Sequence, residues 1–549
     1  MSVGVRVARR TVCLGLALAC CFPHLCQAAS RAASETVRDG ASSASQLAAR
    51  ARLRDWLAGQ TPSGALAAPL RVDLGAAERA DLQRPASGWP DPLRIGVVKT
   101  LSPSVAVSGF AQPPSKRGRG VAHGILQATD DGGFVWAASI SSEGAGGLRV
   151  QLSDVRLPPG AALYFYSPGG DAYGPYRDHG PNGDGDFWTD SIVGSEGVVL
   201  LRQFGPAPAG QLRQISFTIT AVGHIAPGFP VALEDASTSF CGNPDCIIDV
   251  SCLSSPAVAD ATNAVAQLEW VAGAYLYTCS GGLLADTDTS TQIPYLLTAN
   301  HCLRRAKDAK NLEAFFLYRT SSCGETCPSN TGFPKTLGAT IKATGSVGDF
   351  TLLQLKQTPP AGTVMLGWNA DPVAFIDGID LYRISHPNFG AQVYSHHRVD
   401  AAVATCGGWP RGERIYSQDI EGAIAGCSSG SPVLTAAGEV VGQLSGICGV
   451  NVGDPCDAAS NSTVDGALAS YFAQVAPFLD PVAACTPVTE VCDDGVDNDC
   501  DGAIDCSDAD CASSPACSAT CAAPGQSCTR GSQCCSDTCK GPPGSRTCK

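Results

Sequence analysis

Between residues 70 and 222 apolar and polar positions alternate in short runs, as in Val150-Gln-Leu152, Leu163-Tyr-Phe165 and Ile215-Ser-Phe217-Thr-Ile219, with Gly, Pro and Asp between the runs. A period of two puts alternate side chains on opposite sheet faces, so residues 70–240 are expected to form an antiparallel β-sandwich. Ahead of it, Ser34 to Trp56 is rich in Ala and other good helix formers, which predicts a surface helix capped by Ser34 within a segment 30–69. Further on, Pro294-Tyr-Leu-Leu-Thr-Ala299 and Phe350-Thr-Leu-Leu-Gln-Leu355 read as apolar strands. The apolar stretch Thr11 to Phe22 follows Arg6, Arg9 and Arg10 and precedes Ala28, Ala29 and Ser30, the build of a secretory signal peptide over residues 1–29. No later run approaches the roughly 20 apolar residues that span a bilayer, so the expected product is secreted and not membrane-spanning.

Composition sharpens this picture. The 549 residues exceed one domain, and 16% charged residues with 61 Gly and 37 Pro favour turn-rich all-β units over long charged helices. Lys plus Arg is 37 against 51 acids, 37 − 51 = −14, which argues against a nucleic-acid partner. Of 27 Cys, four lie in the first thirty residues, and the other 23 begin at Cys241. A cysteine-free sandwich ahead of a disulfide-dense unit suits a pro-region with a boundary near residue 240.

Three short stretches carry chemistry. His301 ends the first apolar strand and is followed at once by Cys302; Asp349, after Gly348, opens the second; and Cys427-Ser428-Ser429-Gly430-Ser431-Pro432 is a small-residue turn that would expose a hydroxyl and backbone N–H groups. A serine hydroxyl becomes a nucleophile only when an imidazole takes its proton, and the imidazole needs a carboxylate to fix its tautomer. The order His, Asp, Ser supplies that set.

Residues from about Cys246 to Leu479 resemble the chymotrypsin-like serine peptidases, most closely the secreted bacterial lysyl-endopeptidase type. The resemblance rests on these three stretches together with Cys246-Ile-Ile-Asp-Val-Ser-Cys252, Cys279-Ser-Gly-Gly-Leu-Leu, Gly367-Trp368, Ser385-His386-Pro387-Asn388 and Gly442-Gln-Leu-Ser445-Gly446. It implies a double β-barrel over residues 241–484, a Cys279–Cys302 bridge, and a pro-region made of the preceding sandwich. It also implies His301 as general base, Asp349 as its orienting carboxylate, Ser429 as nucleophile, the N–H groups of Cys427 and Ser429 as oxyanion hole, and Ser445 in support. The expected activity is that of a secreted, monomeric serine endopeptidase acting on proteins or peptides and needing no cofactor for catalysis.

Two positions depart from the family pattern. Cys427 stands where the family has Gly, which keeps open a catalytically impaired binding protein or surface adhesin; the intact His301, Asp349 and Ser429 favour the enzyme. Thr463 stands where the family's lysine-selecting acid would be, and Ala423 where trypsins carry theirs. Asp465, two residues from Thr463, is the carboxylate that a loop shift could bring in.

Glu490 to Cys511 holds nine carboxylates and no Lys or Arg. Asp497, Asp499, Asp501, Asp505 and Asp508, with Gly502 at the turn, follow the ligand logic of a Ca²⁺ loop, the alternative being an acidic linker pinned by its cysteines over 485–517. From Cys521 to Cys548, six cysteines with an adjacent pair resemble inhibitor-cystine-knot miniproteins over 518–549. That resemblance implies Cys521–Cys535, Cys528–Cys539 and Cys534–Cys548.

Overall fold

The computed structural model describes residues 31–82, 92–110, 114–227, 240–253, 255–481 and 489–492, with shorter stretches from 508 onward. The expected signal peptide, Asp497, Asp499, Asp501 and Asp505 of the acidic segment, and Cys521, Cys534 and Cys535 of the tail lie outside them.

The helix expected from Ser34 begins later. Helix α1 spans Ser43–Gln60 and is capped by Ser42, whose side chain accepts from Ser45 N at 3.2 Å. The residues before it are drawn into strand pairing, with Arg31 opposite Asn369, Ala32 opposite Trp368 and Glu35 opposite Met365. Ser34 is spent there too, since its hydroxyl accepts from Gly367 N at 3.0 Å. Tertiary pairing overrides local helix propensity.

The sandwich forms where alternation predicts it. Its main strands are β1 (Leu93–Val107), β2 (Phe134–Ser141), β3 (Gly147–Arg156), β4 (Ala161–Tyr166), β5 (Glu196–Gln203) and β6 (Ser216–Ile225). One sheet runs β4-β5-β2 and the other β3-β6-β1, with Trp136, Leu148, Val150, Leu163, Phe165 and Phe217 in the core between them. Each such fully buried side chain contributes about 1.5–3 kcal/mol.

Two barrels follow. The first consists of β7 (Val265–Ala272), β8 (Tyr275–Leu284), β9 (Tyr295–Ala299), β10 (Glu313–Phe316), β11 (Lys335–Leu337), β12 (Ala339–Gly345) and β13 (Phe350–Leu355). Pairing proceeds β7-β8-β9-β13-β12, and β11 returns to β7 through β10, so the chain closes the barrel by bending at Gly338. The second contains β14 (Asp380–Ser385), β15 (Val393–Val399), β16 (Arg414–Glu421), β17 (Pro432–Thr435), β18 (Val440–Gly449) and β19 (Asn461–Ala467). Its order β14-β15-β16-β19-β18-β17 closes on β14. Helix α2 (Leu468–Leu479) buries Tyr471 against Phe350 of the first barrel, ring centroids 4.0 Å apart.

Disulfides join Cys241–Cys327, Cys246–Cys456, Cys252–Cys323, Cys279–Cys302, Cys406–Cys448 and, in the tail, Cys492–Cys511 and Cys528–Cys539. The bridges implied at Cys279 and Cys528 are among them. One feature has no counterpart in the alternation pattern: β1 of the sandwich pairs antiparallel with β8 of the first barrel, so the sandwich sheet runs on into the barrel.

Candidate active site

His301 follows β9, and Asp349 precedes β13, the strand hydrogen-bonded to β9. The Asp349 carboxylate accepts from the His301 main-chain N–H at 2.9 Å through Oδ1 and lies 2.8 Å from His301 Nδ1 through Oδ2. Asn300 N donates to Asp349 O at 2.9 Å, so main chain and side chain together fix the pair. Both side chains are largely buried, with 11% and 12% of their surfaces exposed, a setting in which the carboxylate orients the imidazole.

The second barrel holds the Asp349 loop. Gln443 on β18 donates to Gly348 O at 2.8 Å and Asp349 O at 2.9 Å, and Tyr471 OH donates to Gln443 Oε1. Gly466 on β19 permits this approach, because a Cβ there would stand 1.9 Å from Gly348 O. Gln443 lies inside the quoted Gly442 to Gly446 stretch but drew no attention in the sequence, and Tyr471 carries no local signal.

The turn bearing Ser429 is tied to β8 and β9 through Ser280. Ser280 N donates to Ser429 O at 2.8 Å, Ser280 Oγ to Cys427 O at 2.9 Å, and Ser280 O accepts from Thr298 Oγ1 at 2.8 Å. Gly430, at φ +81°, passes so close to Thr298 and Ser280 that a Cβ would meet Thr298 Oγ1 at 2.2 Å. Within the turn the Ser428 N–H donates to Ala425 O at 3.1 Å, whereas the N–H groups of Cys427 and Ser429 bond to no acceptor among the described residues. Two unspent donors flanking a serine suit a developing oxyanion.

His301, Asp349, Ser429 and the two N–H groups thus sit on one framework. His301 Nε2 lies 3.6 Å from Cys302 Sγ and makes no hydrogen bond to Ser429 Oγ among the described residues; such contacts commonly tighten only with substrate in place. Ser445 is fully buried, its hydroxyl without a partner among the described residues. Cys279, His301 and Cys302 cluster as metal ligands might, but the two sulfurs are joined to each other.

Cys427 takes φ 76°, the left-handed region that glycine occupies freely and that costs another residue roughly 1–2 kcal/mol. It is the described cysteine outside any disulfide, and burial pushes its thiol up to about 12, so it stays protonated and cannot replace Ser429 as nucleophile. Ala423 is buried among Ile247, Val393 and Ala425. Asp465 corrects its expectation: its carboxylate is fully buried 2.6 Å from Arg383 Nη2 and is engaged there. Another acid stands nearby, for Thr463 Oγ1 donates to Asp419 Oδ1 at 2.7 Å, and His397 Nδ1 lies 2.7 Å from that same oxygen.

Residues 242–458 match the family model of the lysyl endopeptidase C-terminal domain. The lysyl endopeptidase of Pseudomonas aeruginosa is 29% identical over 366 residues, covering 65% of this chain and 74% of its own. The chain carries a serine endopeptidase domain, and over residues 242–458 it is similar to the lysyl endopeptidases. Among solved structures, the Rv3671c protease of M. tuberculosis in its active form is 16% identical, at TM-score 0.29 over 43% of this chain and 90% of its own. The HtrA-type protease AlgW with a decapeptide is 18% identical, at TM-score 0.29 over 40% and 66%. The endopeptidase relative's match, at 366 residues, is longer than the stretch 242–458 that the family model covers. Among the described residues no helix is long and apolar enough to cross a membrane.

Proposed function

We propose that this endopeptidase is secreted as a precursor and hydrolyses peptide bonds through an acyl-enzyme on Ser429. The observation that carries the reading is the His301–Asp349 pair sharing a framework with a serine flanked by two unspent N–H donors. His301 Nε2 takes the Ser429 proton as Oγ attacks the scissile carbonyl, and Asp349 stabilises the imidazolium at Nδ1. The N–H groups of Cys427 and Ser429 receive the oxyanion, and His301 returns the proton to the leaving amine. A second cycle with water frees the acid product. Residues 30–240 act as the pro-region. A fluorophosphonate should label the mature protein, and Ser429→Ala should abolish both label and turnover; a wild-type mature protein that takes no label overturns the reading.

The side chain before the scissile bond is proposed to be basic, as the relative's name says of that protein. Asp419 supports this in place of the missing acid at Thr463. Burial alone would raise its pKa, but the His397 imidazole, the Thr463 hydroxyl and Arg383 hold it below the ordinary carboxylate range. With Asp465 spent on Arg383, Asp419 leaves a negative charge beside Thr463. Asp419→Asn should reduce kcat/KM for substrates with Lys or Arg before the cut while leaving fluorophosphonate labelling in place. Unchanged preference would remove Asp419 from the role.

Ca²⁺ binding by the acidic segment is proposed on the donor chemistry of Asp497, Asp499, Asp501, Asp505 and Asp508. Asp508 is buried and its Oδ2 has no hydrogen-bond partner among the described residues, as suits an oxygen awaiting a cation. Calorimetry of the full chain with Ca²⁺ tests it: absent heat at millimolar Ca²⁺ leaves the acidic-linker alternative.

A further inference from the structure

The pairing of β1 with β8 lies beside the site just described. Val97 stands opposite Tyr275, Gly96 opposite Leu276, Arg94 opposite Tyr277 and Leu93 opposite Thr278, and Val98 N donates to Ala274 O at 2.8 Å. The next residue along β8 is Cys279, bridged to Cys302 next to His301, and the one after is Ser280, which holds Ser429 O. The strip filled by Leu93–Val97 therefore leads toward the imidazole. Because that imidazole must hand its proton to the departing amine, substrate residues beyond the scissile bond leave on its side. An extended peptide there would find the β8 edge that β1 already occupies.

Side chains reinforce the strand. Leu93, Ile95, Trp188, Ala221 and Ile225 of the sandwich form one buried apolar cluster with Val271, Leu276 and Cys427 of the endopeptidase domain. The Arg94 guanidinium lies over the Tyr275 ring at 4.3 Å. By contrast, β18, which carries Ser445, pairs with β17, β19 and Trp368, and no sandwich strand joins it among the described residues.

We propose that the pro-region silences the enzyme from the leaving-group side, by adding Leu93–Val97 as a strand to the β8 edge rather than by occupying Ser429, which keeps 5% of its surface exposed for a small acylating reagent. This rests on the serine-peptidase and precursor readings above. The inhibitory element is thus internal to the sandwich and is not its cleaved terminus. The strip it vacates on maturation, Tyr275 to Thr278, takes the extended backbone of a polypeptide substrate.

The test uses the full-length precursor, resolved from its mature product on a gel after a short pulse of a small fluorescent fluorophosphonate. The precursor band should label within about threefold of the mature rate, whereas a peptide continuing several residues past the scissile bond should be cleaved by precursor at least about 100-fold more slowly than by mature enzyme. An amide with a small chromophoric leaving group should lose far less. A precursor band that stays dark while the mature band labels places the block over the nucleophile and overturns the inference, as does precursor that cleaves the long peptide as fast as mature enzyme. If neither band labels, the serine-peptidase reading itself has failed. Gly96→Val supplies the structural arm: its Cβ would stand 2.4 Å from His224 O and 2.8 Å from Leu276 Cδ1, so the strand must lift. Long-peptide cleavage by that precursor should rise by about tenfold or more, and an unchanged rate in precursor with intact sandwich circular dichroism counts against strand addition.

Discussion

At the scale of single residues, the site depends on side chains that never touch substrate. Gln443 donates to two carbonyls of the Asp349 loop from the other barrel, so Gln443→Leu leaves Gly348 O without its donor while Asp349 O keeps Asn300 N, at about 1–3 kcal/mol. Because Asp349 orients His301, kcat should fall by roughly tenfold to a hundredfold with KM little changed, as for a positioning residue, and steady-state kinetics with a thermal melt will check both. Cys427→Gly should act oppositely: it releases roughly 1–2 kcal/mol of left-handed strain while keeping the main-chain donor. The mature variant is expected to keep or raise kcat/KM. A fall of more than about tenfold would assign the buried thiol a part in shaping the oxyanion site. His301, Asp349 and Ser429 were legible because each lies in a stretch whose local chemistry is unusual. Gln443 and Tyr471 were not, since a glutamine in a strand and a tyrosine in a helix acquire meaning only when two barrels meet.

At the scale of elements, alternation read the sandwich well, for Leu148, Val150 and Leu152 on β3 are all buried as a period of two requires. It misplaced the start of α1, because Ser34 bonds to Gly367, more than three hundred residues away, and a local propensity cannot register such a partner. The β1–β8 pairing escaped for the same reason: an edge strand looks alike whether its neighbour is solvent or another domain. Close approach of two elements makes a sharper prediction at Gly466. A Cβ there would stand 1.9 Å from Gly348 O and 2.2 Å from Gln443 Nε2, neither of which can yield without moving the Asp349 loop. Gly466→Ala should therefore cost about 1–3 kcal/mol in stability and impair turnover together. Urea unfolding beside steady-state kinetics checks both, and an unchanged kcat would show that the Asp349 loop does not depend on this approach.

At the scale of the whole molecule, sandwich and first barrel share a buried charge cluster. Glu313 on β10 lies between Arg149 of the sandwich, at 3.3 Å, and Lys335, and all three side chains are essentially inaccessible. Lys335 Nζ also donates to Ser191 O at 2.8 Å, and Glu313 accepts from Ser191 N at 2.8 Å, so the sandwich is fastened to the barrel through paired charges. Glu269, opposite Glu313 on β7 and bonded by Asn330, has no cation of its own in this arrangement. Burial, with Glu313 adding repulsion, pushes it up to about 8. The folded precursor therefore keeps a proton on Glu269 that the unfolded chain releases near pH 4.5, and the stability this group contributes is present below that pH and drains away as pH climbs to about 8. Over part of the range His386 works the other way: burial lowers it to about 4, so its contribution falls as pH drops below the unfolded value near 6.5. Between about pH 6.5 and 8 Glu269 goes on losing its contribution, alongside Asp190, whose carboxyl burial also raises. The melting temperature of the full-length chain, carried as Ser429→Ala to prevent self-cleavage, should fall across that interval, and Glu269→Gln, which keeps the neutral shape at every pH, should flatten it. An equal slope in both proteins would place the pH dependence elsewhere and return Glu269 to a charged state within the cluster.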